Sequence, residues 1–340
     1  MREPIQRPRL TGISFIVTVF DKRLYLPAVI DALARQEGPF AREFVFVDDG
    51  SADGSAELIA ELTRGWHDKV LILRQPNRGA SAATNEGARA ASYPWLKFLD
   101  GDDLLVPGAT ARLLEAAEAT NEAFAYGDLG TYRLEAPDPL GDGDPLQAPI
   151  IHEPDGLARF IRNCPSNSST MLVASERYWA AGGCDERLIS PDQALFLRLF
   201  AAGGGARVMG PVALAPHSAP GRLSEQRRRS RYESVLALYY LVTERKDISR
   251  RHRDLAYRRA LARARTYHRA FGGPFFSRHL VRYLASFVRV PAEPAAEMYE
   301  ALAAFTEDGS TERPPAWKPA ALRQREAGEA RQPVRTLGEV

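Results

Sequence analysis

The stretch YPWLKFLDGDDLLVPG, residues 93–108, ends an apolar run with three acids in four positions. Asp100, Asp102 and Asp103 carry like charges, and carboxylates this close disfavour one another's ionised forms unless a cation stands between them. Carboxylate oxygens are hard ligands that suit Mg²⁺ or Mn²⁺. The cluster therefore predicts a D-x-D-type clamp on a divalent metal, which would in turn hold the phosphates of an anionic ligand.

The elements that must hold this cluster alternate between strand and helix. Short apolar runs predict four strands, which are ISFIVTVF (13–20), EFVFVDDGS (43–51), KVLILRQ (69–75) and WLKFL (95–99). Helical spacing, capping residues and small residues predict the helices between them, which are YLPAVIDALARQ (25–36), SADGSAELIAELTRG (51–65) and NRGASAATNEGARAAS (77–92). This alternation is typical of βαβ units, so we predict an α/β fold with a mostly parallel sheet flanked by helices.

Polar clusters follow each of the four predicted strands. They are Thr18 to Asp21, Asp48 with Asp49, Asn77 with Gly79, and Asp100 to Asp103. Ligands of open parallel sheets bind outside the carboxyl ends of the strands, so four such clusters should converge on one site. Neither the G-x-G-x-x-G fingerprint nor the P-loop follows the first strand. The phosphates of the ligand are therefore not held mainly by a glycine-rich backbone cradle, which again favours binding through a metal.

Composition indicates a soluble globular protein, with 45% hydrophobic and 26% charged residues among 340. The two cysteines, Cys164 and Cys184, make no disulfide framework and fit a reducing compartment. The start, MREPIQRPRL, lacks the apolar segment of a secretory signal. No stretch approaches the ~18 uncharged apolar residues of a spanning helix. We therefore expect a cytoplasmic protein, either free or at the inner face of the membrane.

Six segments, in order along the first ~220 residues, resemble the family 2 glycosyltransferases. They are ISFIVTVFD, FVFVDDGSADGS, NRGASAATNEGARAA, FLDGDDLLVPG, GGCDERLISPDQALFLRL and PHSAPGRLS. The resemblance implies a GT-A fold, which is Rossmann-like. It also implies transfer of a sugar, with inversion, from a nucleotide diphosphate donor to an acceptor hydroxyl. The expected setting is synthesis of bacterial polysaccharide, lipopolysaccharide or glycolipid, with a saccharide or lipid-linked acceptor.

The resemblance also assigns a nucleotide-sugar pocket to the strand ends. It implies that Thr18, Phe20 and Asp21 line the nucleoside pocket. Asp49, with Asp48 beside it, would accept a hydrogen bond from the base, typically the N3–H of uracil, so a UDP-sugar is the expected donor. The other donor-binding positions that it implies are Asn77, Gly79, Asn85, Asp100, Asp103 and Arg222.

For the metal and the chemistry, the resemblance implies Asp102 as a direct metal ligand, with Asp100 contacting ribose or metal-bound water. His217 would be a third ligand or a diphosphate contact. Such a cation neutralises charge on the leaving diphosphate. The base that takes the acceptor proton would be Asp192, at the start of the predicted helix PDQALFLRLF. The positive end of that helix favours its ionised form.

Two departures from the family pattern leave alternatives open. Pro191 stands where a second acid is usual, and Thr84 stands where an arginine often is. They keep open a catalytically degenerate nucleotide-sugar-binding protein. A nucleotidyltransferase is a second alternative, because it also uses acidic metal sites on a similar sheet. Its usual glycine- and lysine-rich phosphate loop is absent from VFDKRLYLP.

The remaining chain divides by charge. Residues 222–289 contain 18 Lys and Arg against five acids, although the whole chain has a net charge of only +2. We predict an N-terminal arm (1–10), a glycosyltransferase domain (11–224, with a nucleotide-sugar half, 11–108, and an acceptor half, 109–224), a basic helical extension (225–306) and a poorly ordered tail (307–340). Ser168 to Thr170 are expected near the acceptor cleft.

The basic helices of the extension allow two main interpretations. Either they pack on the domain with an arginine-covered outer face, or they contact an anionic membrane or a lipid-linked acceptor. No recognised nucleic-acid-binding module accompanies the arginines, so we expect no nucleic-acid partner.

Overall fold

The computed structural model describes residues 11–135, 147–217, 227–305 and 335–339. The strands are β1 (Thr11–Val19), β2 (Phe40–Asp48), β3 (Lys69–Arg74), β4 (Trp95–Asp100), β5 (Leu104–Leu105), β6 (Phe124–Tyr132), β7 (Ile150–Glu153), β8 (Met171–Ala174), β9 (Gly205–Pro216) and β10 (Arg335–Glu339). The helices are α1 (Leu26–Ala34), α2 (Ser55–Leu62), α3 (Ala80–Ala90), α4 (Ala109–Thr120), α5 (Leu157–Arg162), α6 (Ser175–Ala180), α7 (Asp192–Ala201), α8 (Arg227–Glu244), α9 (Arg250–Ala270), α10 (Arg278–Val288) and α11 (Pro294–Ala301).

All ten strands belong to one sheet, in the order β10-β3-β2-β1-β4-β8-β6-β9-β5, with β7 paired to β9. The four strands predicted from apolar runs are adjacent and parallel. β1 has β2 on one side and β4 on the other, so the chain reverses its winding direction at β1. Such a switch point opens a crevice at the carboxyl ends of the strands, where Thr18 to Asp21 and Asp100 to Asp103 lie.

The sheet is mixed rather than mostly parallel. β8 lies antiparallel between β4 and β6, while β6 and β9 are parallel. An antiparallel neighbour needs no helical crossover, so the chain can enter β8 from the short turn at Ser168–Thr170. This arrangement brings that turn against the end of β4, where the acids are.

Two hydrophobic clusters cover the two faces of the sheet. One contains Phe44 and the apolar face of α1, including Leu33. The other contains Phe196 of α7 together with Tyr257 of α9 and Met298 of α11. The helical extension therefore shares its core with the acceptor half of the sheet.

Cys164 and Cys184 are both free thiols. In the described ranges, no helix is long and apolar enough to cross a bilayer. Most of the tail that we predict to be poorly ordered, 307–340, lies outside the described residues, and within it Arg335–Glu339 pairs antiparallel with β3. The unpaired backbone of an edge strand such as β3 offers hydrogen bonds to such a segment.

Candidate functional site

The carboxyl ends of β1 and β4 approach each other closely at Gly101. Its N–H donates to the Thr18 carbonyl oxygen over 2.9 Å. A Cβ at this position would lie 2.9 Å from that same oxygen, so only glycine fits. This contact fixes the acids on both sides of Gly101 at the mouth of the crevice.

The predicted acidic cluster forms, and it is crowded. Burial and the charges of Asp103, Asp192 and Asp102 raise the pKa of Asp100 well above its usual value. Asp102 makes an ion pair with Lys22, whose Nζ lies 2.8 Å from the carboxylate Oδ2. Four carboxylates thus converge although Asp192 is 92 residues from Asp100 in the chain.

These side chains fit a divalent cation in charge and in ligand type, because crowded carboxylate oxygens gain from a shared positive charge. Within the described ranges, no three His, Cys, Asp or Glu side chains gather into a set that could hold a metal alone. His217 is exposed and its backbone N–H donates to the Tyr132 carbonyl. Asp100 and Asp102 would therefore need oxygens of a bound diphosphate to complete a coordination shell.

The other two acids of the opening stretch are held by remote groups. The Asn167 side-chain amide donates to Asp103 Oδ2 over 2.7 Å. The Tyr132 hydroxyl donates to the Asp102 carbonyl over 2.7 Å. Asp103 is fully buried, so its carboxylate belongs to the floor of the site.

A buried lysine lies directly beneath the cluster. Lys97 is fully buried in β4, and its Nζ donates to the carbonyls of Phe98 and Ser169. Burial lowers the pKa of Lys97 to about 7, although Asp103 and Asp100 oppose that shift. The sequence analysis missed this residue, because a single lysine inside WLKFL was taken as part of an apolar run.

Asp192 lies at the first turn of α7 and faces the acidic cluster. The Ser168 N–H donates to Asp192 Oδ1 over 2.9 Å, and the Ser190 hydroxyl donates to Oδ2 over 3.2 Å. The Ser168 hydroxyl also lies 3.5 Å from Asp100 Oδ1. The turn predicted to be near the acceptor cleft therefore links Asp192 to Asp100.

A carboxylate from the helical extension holds the segment before Asp192. Glu233 of α8 is buried and accepts the backbone N–H groups of Ile189 and Ser190, at 3.2 and 3.0 Å. Arg229, one turn away on α8, donates to the same carboxylate over 3.1 Å. No sequence signal links Glu233 to Asp192, because the two lie 41 residues apart with strand β9 between their helices.

Next to Asp192 lies a cavity of about 190 Å³ between α7 and α8. Its lining is rich in hydroxyl and amide groups. The polar lining residues are Ser166, Ser190, Asp192, Gln193, Ser230, Glu233 and Ser234.

On the nucleoside side, Asp48 and Asp49 are both buried and have different surroundings. Asp48 accepts the Ser51 N–H over 2.9 Å and makes an ion pair with Arg74. Asp49 accepts from the Gln75 amide and from two backbone N–H groups that follow β3, at 2.7 to 2.9 Å. Burial nevertheless raises the pKa of Asp49. A carboxylate has about four acceptor positions, so one on Oδ2 is left for a ligand.

The loop after β1 is shaped by its own acid. Asp21 has a φ of 50°, which is uncommon for a residue with a side chain. Its carboxylate accepts the Ala52 N–H over 2.8 Å, and its own N–H donates to the Ser51 hydroxyl. Phe20 beside it is 45% exposed, so an aromatic face is available at the crevice. Thr18 is partly buried beneath them.

The third predicted cluster holds the loop between β3 and α3. Gly79 has a φ of 87°, a conformation that favours glycine, and donates its N–H to Asp49 over 2.8 Å. Asn85 uses its side chain within the protein, bonding Tyr178, Glu186 and the Cys184 backbone. Asn77 is exposed on the loop. Asn85 therefore ties α3 to the segment that leads to Asp192, while Arg222 lies outside the described residues.

A family model, Glycosyl transferase family 2, matches residues 14–139. Residues 14–139 belong to the family 2 glycosyltransferases. The matched segment includes the ends of β1 to β4 with the acidic cluster, and the match ends before Asp192.

Two curated relatives match the same part of the chain. The succinoglycan biosynthesis protein ExoO of Rhizobium meliloti (strain 1021) is 31% identical over 128 residues, which are 37% of this chain and 36% of that protein. The poly-beta-1,6-N-acetyl-D-glucosamine synthase of Staphylococcus epidermidis is 29% identical over 110 residues, which are 32% of this chain and 26% of that protein. The matches thus span well under half the length of these relatives.

Solved structures resemble most of the chain. The crystal structure of S. aureus TarS 1-349 in complex with UDP-GlcNAc has a TM-score of 0.61 at 16% identity and covers 86% of this chain and 82% of that one. The mannosyltransferase PcManGT from Pyrobaculum calidifontis, in complex with GDP-Man and Mn2+, has a TM-score of 0.50 at 14% identity, covering 87% and 86%. This likeness confirms the predicted GT-A fold with a helical C-terminal region.

Proposed function

We propose that the chain is a metal-dependent, inverting glycosyltransferase that moves a sugar from a UDP-sugar to an acceptor hydroxyl. The observation that carries the proposal is the link made by Ser168, which joins Asp192 to Asp100. A general base beside a cluster of phosphate-side carboxylates is the arrangement that glycosyl transfer needs. The names of the two curated relatives support a role in polysaccharide synthesis. Lipopolysaccharide and glycolipid synthesis are the other settings that we keep in the proposal.

In this proposal, Asp192 removes the proton of the acceptor hydroxyl. The acceptor oxygen forms a bond to the anomeric carbon from one side while the bond to the diphosphate oxygen breaks on the other. The UDP-sugar bond is thereby exchanged for a glycosidic bond of inverted configuration. The hydrogen bonds from Ser168 and Ser190 to the Asp192 carboxylate stabilise its negative charge before the proton arrives.

The donor would lie along the ends of β1 to β4. The free acceptor position on Asp49 suits the imide N–H of a uracil ring. Phe20 would contact the base, and Asp100 and Asp102 would hold a divalent cation together with the diphosphate. When bound, that cation supplies charge neutralisation at the leaving group. Lys22, paired with Asp102, adds a second positive charge there.

The acceptor would enter beside Asp192, through the cavity between α7 and α8. Its hydroxyl and amide lining matches the hydroxyls of a saccharide. The domain boundaries that we propose keep the catalytic unit at 11–224. The extension supplies one wall of the acceptor cavity through Ser230, Glu233 and Ser234.

The deciding experiment compares wild type with Asp192→Asn for UDP release from UDP-sugars in the presence of Mn²⁺ and saccharide acceptors. Asparagine keeps the shape and removes the basicity, so turnover should fall by about a hundredfold or more while UDP affinity stays near wild type. Asp31→Asn is a matched control, because Asp31 is exposed on α1 and forms an ion pair with Arg35 at the end of that helix.

Each alternative has its own outcome in this experiment. UDP-sugar binding without any transfer by wild type would favour a catalytically degenerate binder. Release of pyrophosphate from UTP and a sugar phosphate would favour a nucleotidyltransferase. An Asp192→Asn variant with normal turnover would refute Asp192 as the base.

A further inference from the structure

Helix α10 turns its apolar side outward. Val281, Leu284, Phe287 and Val288 are 66, 55, 59 and 91% exposed. The buried residues of this helix, which packs on α9, are His279, Ser286 and a single leucine, Leu280. An amphipathic helix of a globular protein normally shows the reverse, so this face is built for an apolar partner.

The turn before α10 extends the same surface. Phe275 and Phe276 are 48 and 84% exposed. The guanidinium groups of Arg269 and Arg265 lie 5.2 and 6.0 Å from the Phe275 ring centre. Together the six residues Phe275, Phe276, Val281, Leu284, Phe287 and Val288 form what we call the α10 outer face.

Positive charge surrounds the α10 outer face. Between Asp254 and Glu293 the sequence has eight arginines and no acid. Arg278 and Arg289, at the two ends of α10, are both exposed. The buried positions of α9 include Tyr257, Leu261 and Tyr267. This helix therefore packs its apolar side inward, whereas α10 exposes its apolar side.

We propose that the α10 outer face docks on an anionic lipid bilayer. Its apolar side chains would enter the boundary between headgroups and acyl chains, and the flanking arginines would contact anionic headgroups. A second copy of the chain fits less well, because a symmetric contact would bring the same arginines together. The 11-residue helix is about 16 Å long and would lie in the interface rather than cross it.

The proposal refines the two interpretations of the basic extension. α8, α9 and α11 contribute to the hydrophobic core, as the packing interpretation expects. Among the described parts of the extension, all exposed large hydrophobic side chains except Phe271 belong to the α10 outer face. The proposal is independent of glycosyl transfer, because it concerns lipid binding in the absence of any sugar donor.

The test is flotation of the purified full chain with vesicles of phosphatidylcholine alone or with added phosphatidylglycerol. We expect flotation with the anionic vesicles at low salt and its loss at high salt. Leu284→Glu and Val288→Glu should each weaken partitioning by roughly tenfold or more. Leu24→Glu is the matched control, since Leu24 is 69% exposed and lies far from α10 in the chain.

Three results would overturn the proposal. Wild type that stays unbound to anionic vesicles at low salt would show that the α10 outer face does not dock on lipid. A dimer in light scattering that Leu284→Glu dissociates, without vesicle binding, would assign the face to a second copy. A large fall in Tm for both glutamate variants, again without vesicle binding by wild type, would mean that the chain itself covers the face.

Discussion

Glu233 provides a sharp test of whether the helical extension takes part in catalysis. Its carboxylate accepts the N–H groups of Ile189 and Ser190, just before Asp192. A hydrogen bond to a charged group contributes about 1.5–3 kcal/mol. Both N–H groups are only partly buried, so in the variant water can replace part of the lost hydrogen-bond energy. We therefore expect Glu233→Ala to lower the free energy of unfolding by about 2–4 kcal/mol.

Glu233→Gln keeps one oxygen acceptor but turns an amide N–H₂ toward the second backbone N–H. It should therefore cost about half as much as Glu233→Ala. Displacement of Asp192 by about 1 Å can cost on the order of a hundredfold in rate. We expect kcat to fall strongly in Glu233→Ala and less in Glu233→Gln, while KM for the donor stays near wild type because the donor site lies on β1 to β4.

The assay combines urea denaturation with steady-state UDP release. Glu244→Gln is the matched control on the same helix, because Glu244 pairs with the side chains of Arg187 and Arg198. It should lower stability without lowering kcat. The reasoning is refuted if Glu233→Ala loses stability as expected and keeps wild-type kcat.

Three further predictions concern the floor and the donor side of the site. Asp102→Ala should abolish the Mn²⁺ dependence of UDP affinity, measured by calorimetry. The variant should stay folded, because removing one acid relieves repulsion among the carboxylates. Unchanged Mn²⁺ dependence would contradict the metal assignment. UDP should bind better than GDP or ADP, because Asp49 accepts from an imide N–H, and equal or tighter purine binding would contradict this. Lys97 has a pKa of about 7 in the folded protein, against an ordinary value of 10.5 in the unfolded chain. Between pH 7 and pH 10.5 the unfolded chain therefore binds one more proton than the folded protein. Wild-type stability should therefore rise with pH by up to about 1.4 kcal/mol per pH unit over this range relative to Lys97→Met, and parallel urea-midpoint profiles at pH 7, 8 and 9 would exclude this.

Local sequence patterns were sufficient to predict the first half of the sheet. Strands β1 to β4 are short runs of apolar residues between capping and turn residues, and both signals depend only on neighbours in the chain. The acids after β2 and β4 could be predicted as ligands for the same reason, since the ends of parallel strands meet at one edge.

The rest of the site required tertiary structure, because its contacts join residues far apart in sequence. Ser168 reaches Asp100 only because β8 runs antiparallel to β4. Glu233 reaches the Ser190 backbone only because α8 packs against α7. Hydrophobic periodicity reports which side of a helix is buried, and it carries no information about which element covers it.

The sequence by itself also could not show whether individual side chains are buried or exposed. Lys97 and the outer side of α10 are opposite cases. The alternation of β4 buries a lysine beneath the acids, while α10 exposes valine, leucine and phenylalanine. In both cases the type of side chain indicates only its usual environment. Its actual burial depends on which elements, distant in sequence, pack against it.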